Sequence, residues 1–407
     1  MEEVQEGLRI EEDYAHVLAM LPDGWREKAK ELGALRRCRK VQDPERLLRV
    51  LLIHLAEGCS LRETSLRARQ GGILQISDVA IMDRLRSAQQ WFWWINQQLM
   101  RRWVRRGPEV VFPSRWRVRL IDGTRIKEPG PTGSSWLIHY SIGLPGLSCD
   151  ELLLSAPKGG EGESFRHFAV HPGALFIGDR VYGVRPGLLH VVSQGADVLT
   201  RFVLSNLPLE SLNGAPFDLL WHLRRLKARQ MGDWPVQTRD DGQGMISGRV
   251  VAVAKTRQAA ERAQQDVRRQ AQKHGGATVK PETLEAAKYI FVFTTARRED
   301  LSASHALEMY RGRWQIELVF KRLKSILGLG HLRKTDPESA KAWLQGKLLV
   351  AFLIEALIRC GESFFPWGWP LDNTPSLPLA RRAIYAAPSS PDIDADHLTS
   401  PNPGELA

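Results

Sequence analysis

The chain has 407 residues and a net charge of +11, with an isoelectric point near 9.7. This length is enough for two or three domains, and the basic charge favours a polyanionic partner such as nucleic acid. The four cysteines are scattered without paired spacing, which argues against a zinc site or disulfide framework and fits a reducing cytoplasm. The longest apolar run, LLVAFLIEALI, is far shorter than a membrane span, so we expect no membrane association.

Residues 1–107 have apolar side chains at helical spacing, and we predict an N-terminal helical DNA-binding domain there. Within it, one helical pattern is followed by two glycines and then by Ser77, a suitable N-cap for the next helix. This is the outline of a helix-turn-helix over residues 60–90, and an ordinary helical hairpin fits it equally well. In the basic segment that follows, Arg101 and Arg105 either contact DNA phosphates or belong to a solvated helix face.

From about residue 115 the periodicity becomes that of β-strands. WRVRLID alternates and ends at Asp122, and WLIHYSIG and ELLLSAP predict two more strands. A short helix, GESFRHFAV, precedes ALFIGD, an apolar run that predicts a buried central strand ending in Asp179. A helix (PGLLHVVSQG) and a strand (DVLTRFVL) come next. This order predicts an α/β fold in which a mixed sheet has helices on both faces.

Residues 205–288 interrupt that pattern with prolines, glycines and a long polar helix, KTRQAAERAQQDVRRQAQKH. The strand-like YIFVFTT then resumes it at residue 289. We therefore predict a sheet domain formed by residues 108–204 and 289–360, with an insertion domain at 205–288. Residues 361–407 are rich in proline and read as an extended or disordered tail.

A helical stretch, MYRGRWQIELVFKRLKSILGL, carries polar residues at offsets of three, four and seven. On one continuous helix these side chains fall within an arc of about 60°, with apolar residues on both sides of it. A helix that is apolar on two sides is buried on two sides, so this polar stripe is expected to face a cleft. The stripe consists of Tyr310, Arg313, Glu317 and Lys324.

Three acids follow in an order that suits metal-dependent chemistry: Asp122 and Asp179 at strand ends, then Glu317 on the stripe. Neighbouring strands lie about 4.8 Å apart, so two strand-end acids can share an ion, and a helix across the sheet edge can supply the third. Three carboxylates suit Mg²⁺, with Mn²⁺ as a substitute, and two such ions can drive phosphodiester displacement.

Each acid alone has a simpler explanation. Asp122 precedes a glycine, as aspartates in turns often do. Asp179 fits a loop ion pair, and Glu317 fits a helical pair with Arg313 or Lys321.

The stripe matches, at the same spacing, the Tyr-Arg-Glu-Lys signature of the insertion-sequence-four family of DDE transposases. LIDGTRI and GDRVYG resemble the segments around the first two catalytic aspartates of that family, and the resemblance covers about residues 115–335. It implies an RNase H-like core in which Asp122, Asp179 and Glu317 are catalytic and hold two metal ions. It also implies that Tyr310, Arg313 and Lys324 contact DNA.

The implied protein is a bacterial transposase that works in the cytoplasm at the nucleoid. It would bind terminal inverted repeats in double-stranded DNA as a homodimer, cleave the element ends and join them to target DNA. Family members often hold a flipped base with aromatics of a mostly β insertion domain. Trp234 and Trp221 are candidates for that platform, and a structural tryptophan is the alternative.

Two other functions fit parts of the pattern. One is a domesticated sequence-specific DNA-binding protein without cleavage activity, and the other is an RNase H-type host nuclease.

Overall fold

The computed structural model describes residues 14–35, 42–106, 116–130, 134–144, 146–157, 162–238, 242, 244–273, 278–334 and 336–364. The side chains of 104–106 and 359–364 lie outside this description, and so does the predicted phosphate contact of Arg105. The predicted tail falls outside it beyond residue 364.

The described N-terminal part is helical, as the periodicity predicts. Its helices are α1 (14–20), α2 (Trp25–Glu31), α3 (Pro44–Ala56), α4 (Leu61–Gln70), α5 (Asp78–Ser87) and α6 (Gln89–Arg106). The predicted cap is present: the Ser77 hydroxyl accepts a hydrogen bond from the Ala80 amide at 3.2 Å. Gly72, between α4 and α5, has a φ of 64°, a left-handed conformation that favours glycine.

A nine-stranded mixed sheet forms the centre of the fold, in the spatial order β3-β2-β1-β4-β5-β9-β8-β7-β6. The pairs β1–β4 and β4–β5 are parallel, and every other neighbouring pair is antiparallel. The strands are β1 (Arg117–Lys127), β2 (Ser135–Gly143), β3 (Ser148–Ser155), β4 (Ala174–Gly178), β5 (Asp197–Thr200), β6 (Leu209–Glu210), β7 (Met231–Thr238), β8 (Ser247–Ala254) and β9 (Tyr289–Thr294).

Strand β4 is buried at all five positions, as its apolar run predicts. Strand β1 is longer than predicted, and Asp122 lies inside it rather than at its end. The strand continues because residues 123–127 pair antiparallel with β2 after the parallel pairing with β4 has stopped. The alternative of a turn at Asp122 is therefore wrong.

Helices cover both faces of the sheet and bury two separate cores. One core joins the N-terminal helices with the last three helices, and the other contains α7 and α8. These later helices are α7 (Arg185–Val192), α8 (Leu219–Leu223), α9 (Arg257–Lys273), α10 (Pro281–Ala286), α11 (Ala303–Arg311), α12 (Trp314–Lys321) and α13 (Pro337–Phe364). Among the described residues, no helix is long and apolar enough to cross a membrane.

Two more predicted elements differ from the structure. GESFRHFAV forms only a 3₁₀ turn at Phe165–His167, because the backbone becomes extended at Phe168 and both phenylalanine rings are buried. The segment 205–288 is mixed rather than mostly β, since it contains the long helix α9. Its strands extend the main sheet beyond β9.

Candidate active site

The two aspartates are brought together by the parallel pairing of β1 with β4. Leu120 pairs with Ile177, and the same register continued by two residues sets Asp122 beside Asp179. Asp179 directly follows β4, and one of its carboxylate oxygens accepts a hydrogen bond from the Val181 amide at 2.9 Å. Thr200, the last residue of β5, donates its hydroxyl to the Asp179 carbonyl at 2.7 Å. Backbone pairing therefore positions both carboxylates next to each other, at the point where β4 ends.

The polar stripe is not on one continuous helix. Helix α11 ends at Arg311, Gly312 is its C-cap, and α12 begins at Trp314. A π-helix then covers Arg322–Ile326, so Lys324 is not on an ordinary α-helical turn. At the junction Gly312 and Arg313 keep right-handed helical φ and ψ, but the amides of Arg313 and Ile316 bond to carbonyls three residues back, so the helix is locally tightened.

Arg313, at the junction of α11 and α12, lies between two of the predicted acids. Its Nη1 atom lies 3.1 Å from Oδ2 of Asp122, and its Nη2 atom donates to Oε1 of Glu317. The Asp122 side chain is buried, and the Arg313 and Glu317 side chains are largely so. One guanidinium thus bridges two carboxylates that are 195 positions apart, 317 minus 122, in the chain.

The other two stripe residues lie beside this bridge. The Tyr310 ring is buried, and its centroid is 6.0 Å from the Arg313 guanidinium carbon. Burial lowers the pKa of Lys324, and the Asp122 charge opposes that change, so the two groups are close enough to interact. The structure therefore gathers Tyr310, Arg313, Glu317 and Lys324 around Asp122.

Electrostatically, the site has an excess of buried negative charge. Burial raises the pKa of Asp122 well above its usual value, and the charges of Asp179 and Glu163 raise it further. Arg313 has the opposite effect on that carboxyl. Burial alone lowers the pKa of Arg313, but the nearby Tyr310 and Asp122 outweigh it and raise the pKa. The cluster needs positive charge, and Arg313 supplies part of it.

In the described ranges, no three His, Cys, Asp or Glu side chains are already arranged to hold a metal ion. The Arg313 guanidinium lies where it bridges Asp122 and Glu317. The available donors are nonetheless carboxylate oxygens in a site with excess negative charge. Hard divalent cations bind such oxygens. Asp122, Asp179 and Glu317 fit such an ion by donor type.

Sequence reasoning missed two residues of this neighbourhood. Glu163 lies in a glycine-rich segment with no recognisable motif, and burial together with Asp179 raises its pKa to about 7. Tyr182 follows Asp179 within GDRVYG and is fully buried. Only Tyr182 could have been found from the sequence, because it belongs to the GDRVYG motif that was already singled out.

Three other candidate positions lie away from this cluster. Trp234 is on β7, which three strands separate from β4, and its ring packs beside His222 at 5.3 Å between centroids. Trp221 is on α8 and is 47% exposed. Arg101 is exposed on α6, a helix that packs against β3 and α13.

Comparison with known proteins agrees with the signature. Residues 154–353 match the transposase DDE domain family. The chain is 32% identical over 371 residues to the putative transposase InsL for insertion sequence element IS186A of Escherichia coli K12, which covers 87% of this chain and 96% of the relative. The chain belongs to the insertion-sequence-four family of DDE transposases.

The transposase for insertion sequence element IS421 of Escherichia coli is likewise 32% identical, over 372 residues, covering 87% of this chain and 96% of the relative. A shorter match, 39% over 70 residues, links the chain to the transposase for insertion sequence element IS231F of Bacillus thuringiensis subsp. israelensis, covering 17% of this chain and 14% of the relative. The predicted family is thus confirmed, and a DDE transposase domain implies dependence on a divalent metal ion.

Proposed function

We propose that this DDE transposase binds the terminal inverted repeats of an insertion sequence, cleaves the DNA ends and joins their 3′-hydroxyls to target DNA. The observation that carries the proposal is the convergence of Asp122, Asp179 and Glu317 around Arg313. We assign the three acids as the catalytic, metal-holding residues. Because its substrate is DNA, we propose that the protein acts at the bacterial nucleoid in the cytoplasm.

The topology supports an RNase H-like core in residues 108–204 and 289–360. The antiparallel meander β3-β2-β1 joins the parallel strands β4 and β5, with helices on both faces. Residues 205–288 leave this core after β5 and return to it through β9, which supports an insertion domain. We assign residues 1–107 as the DNA-binding element, and their described helices share a core with the last three helices of the chain.

The catalytic proposal assigns each side chain a separate task. Asp122, Asp179 and Glu317 would hold two Mg²⁺ ions, for which Mn²⁺ can substitute. Such ions activate an attacking oxygen and stabilise a leaving one during phosphodiester displacement. Arg313, whose charge bridges Asp122 and Glu317, is placed to bind a phosphate that arrives at the same edge. Tyr310 and Lys324 would contact the phosphates next to it.

Cleavage of defined ends tests the proposal. We expect the full chain, with Mg²⁺, to nick duplexes that carry the inverted repeats flanking its gene, and not duplexes with the repeat scrambled. Asp179→Asn should remove the nicking, because one carboxylate of the cluster is lost. Specific binding without nicking would support the domesticated protein instead, and cleavage of an RNA–DNA hybrid without end preference would support the host nuclease.

We further propose that α4 and α5 recognise the element ends as a helix-turn-helix. Val79, near the start of α5, is 68% exposed, and the first residues of a recognition helix are those that contact base edges. Because Ala68, Ile81 and Leu85 of these helices are buried in the core, deletion of residues 60–90 would damage the fold. A surface substitution is the sharper test.

Val79→Asp should weaken specific end binding at least tenfold, since a lost base contact costs about 1–3 kcal/mol and an added carboxylate repels phosphates. An aspartate in the first turn favours the helix, so folding should be unaffected. Fluorescence anisotropy with end DNA and scrambled DNA measures the effect. Leu212→Asp, a similarly exposed position at 61%, is the matched control. Equal binding by both variants would reject this role for α5.

For the base platform, the exposed ring is the better candidate. The Arg225 guanidinium carbon lies 3.0 Å from the Trp221 ring centroid, and the ring remains 47% exposed. Trp234 is half-buried against Gly232 and His222. We therefore favour Trp221 over Trp234 for stacking on a base.

A homodimer is proposed for the synaptic complex, with two ends and the target DNA held together. Arg101, exposed on α6, is a candidate phosphate contact in that assembly.

A further inference from the structure

A fourth carboxylate approaches the candidate centre from the other face of the sheet. A Cβ atom added to Gly123 would lie 2.7 Å from Cγ and Cδ of Glu163 and 3.0 Å from its Oε1 atom. The Glu163 carboxylate therefore occupies the space that any side chain at position 123 would need. Gly123 lies inside β1 and not in a turn. A glycine is needed there because it lets the Glu163 side chain approach the strand closely.

The two glutamates come from opposite sides. Ile121, which points to the same face of β1 as Gly123, belongs to the core that contains Phe165. Leu120, which shares the face of Asp122, belongs to the core that contains Ile316 of α12. Glu317 therefore approaches from the face of the sheet that α12 covers. Glu163, in the segment before the 3₁₀ turn, approaches from the opposite face.

Among the described residues, only a distant and exposed arginine offsets the charge of this carboxylate. Its side chain is only 8% exposed, and the ion pair it makes is with Arg125, whose Nε atom lies 4.0 Å from Oε1 and whose side chain is 63% exposed. An ion pair at that distance with an exposed arginine contributes little, whereas burying a carboxylate is costly. Packing alone therefore does not explain an acid at this position.

A second, independent feature points to the same space. The Tyr182 hydroxyl is buried and has no hydrogen-bond partner among the described residues. The charges of Asp122, Glu163 and Asp179 all act on it. A buried hydroxyl without a partner costs about 1–3 kcal/mol. A hydrated ion among these carboxylates would supply the missing partner.

We propose that Glu163 is a fourth carboxylate of the metal centre and that Gly123 makes room for it. The inference rests on the proposed metal-dependent cleavage. Two divalent ions carry four positive charges. Asp122, Asp179 and Glu317 supply three negative charges, and Arg313 offsets one of them. Glu163 raises the net negative charge of these side chains from two to three, closer to the four positive charges of the two ions.

Binding of Mn²⁺ to the full-length chain, followed by the electron paramagnetic resonance signal of the free ion, tests the proposal without any cleavage step. Glu163→Gln should lose one Mn²⁺ site or weaken it about 10–100-fold. Without metal, the variant should melt at or above the wild-type temperature, because a buried charge is removed. Glu128→Gln, at a half-buried carboxylate near the end of β1, should bind Mn²⁺ as the wild type does.

Two further variants separate the possible failures. Gly123→Ala should reproduce the Mn²⁺ defect by displacing Glu163. Asp122→Asn tests the centre itself. Loss of Mn²⁺ binding in Asp122→Asn but not in Glu163→Gln would overturn the role of Glu163 alone. Unchanged binding in both would overturn the proposed metal centre as well.

Discussion

Glu317→Gln is expected to abolish nicking of element-end DNA while binding of the uncut end stays within about twofold of wild type. The substitution keeps the shape of the side chain and its oxygen near Arg313, but removes the charge that the proposed metal centre needs. We expect a loss of at least about 10³-fold in the cleavage rate, which corresponds to about 4 kcal/mol of transition-state stabilisation. Gel-based nicking in Mg²⁺ and anisotropy on the same duplex measure the two effects separately.

The control for this experiment is Glu299→Gln, which removes a carboxylate from an exposed position outside the cluster. It should nick like the wild type. If Glu317→Gln nicks end DNA measurably in Mg²⁺, Glu317 is not the third acid. A Glu317→Ala variant, which also removes the hydrogen-bond acceptor for Arg313, should be equally inactive.

Much of the fold was predictable because local pattern and tertiary burial agree. ALFIG is apolar throughout, and as β4 it lies in the middle of the sheet with helices on both sides. Ser77 has the side chain that an N-cap requires, and it caps α5. In such segments the local preference and the final environment favour the same structure.

Other features depend on partners that are distant in the chain. Strand β1 continues beyond Asp122 because β2 pairs with it, and no periodicity in WRVRLID reveals that partner. One continuous helix was predicted from the spacing of the stripe, whereas α11 and α12 meet in a tightened turn at Gly312 and Arg313, and the contact of Arg313 with Asp122 depends on how the helices pack on β1.

Glu163 shows the same limit at the candidate site. It approaches Asp122 only because Gly123, which belongs to another element, lacks a side chain. Candidate site residues were therefore recognised where a motif joined them, as in the Tyr310 to Lys324 stripe. They were missed where only the folded chain brings them together.

Arg313→Ala is expected to separate two tasks that this residue combines. Without metal, it should lower stability by about 3–5 kcal/mol, because Asp122 and Glu317 would face each other without their shared cation. Mn²⁺ should restore much of that loss, so the melting temperature of the variant should rise more with Mn²⁺ than that of the wild type. Removal of a competing cation should leave Mn²⁺ affinity unchanged or increase it.

Binding of the DNA end by Arg313→Ala should become weaker, in contrast to its Mn²⁺ affinity. If Arg313 binds a phosphate beside the metal centre, Arg313→Ala retains cleaved ends poorly even when Mn²⁺ has restored its stability. Arg313→Lys keeps the charge but not the planar pair of donors, so it should recover stability more fully than end retention. Unchanged nicking yield and end retention in Arg313→Ala at saturating Mn²⁺ would contradict the phosphate role. The guanidinium would then serve only to bridge Asp122 and Glu317 when no metal ion is bound.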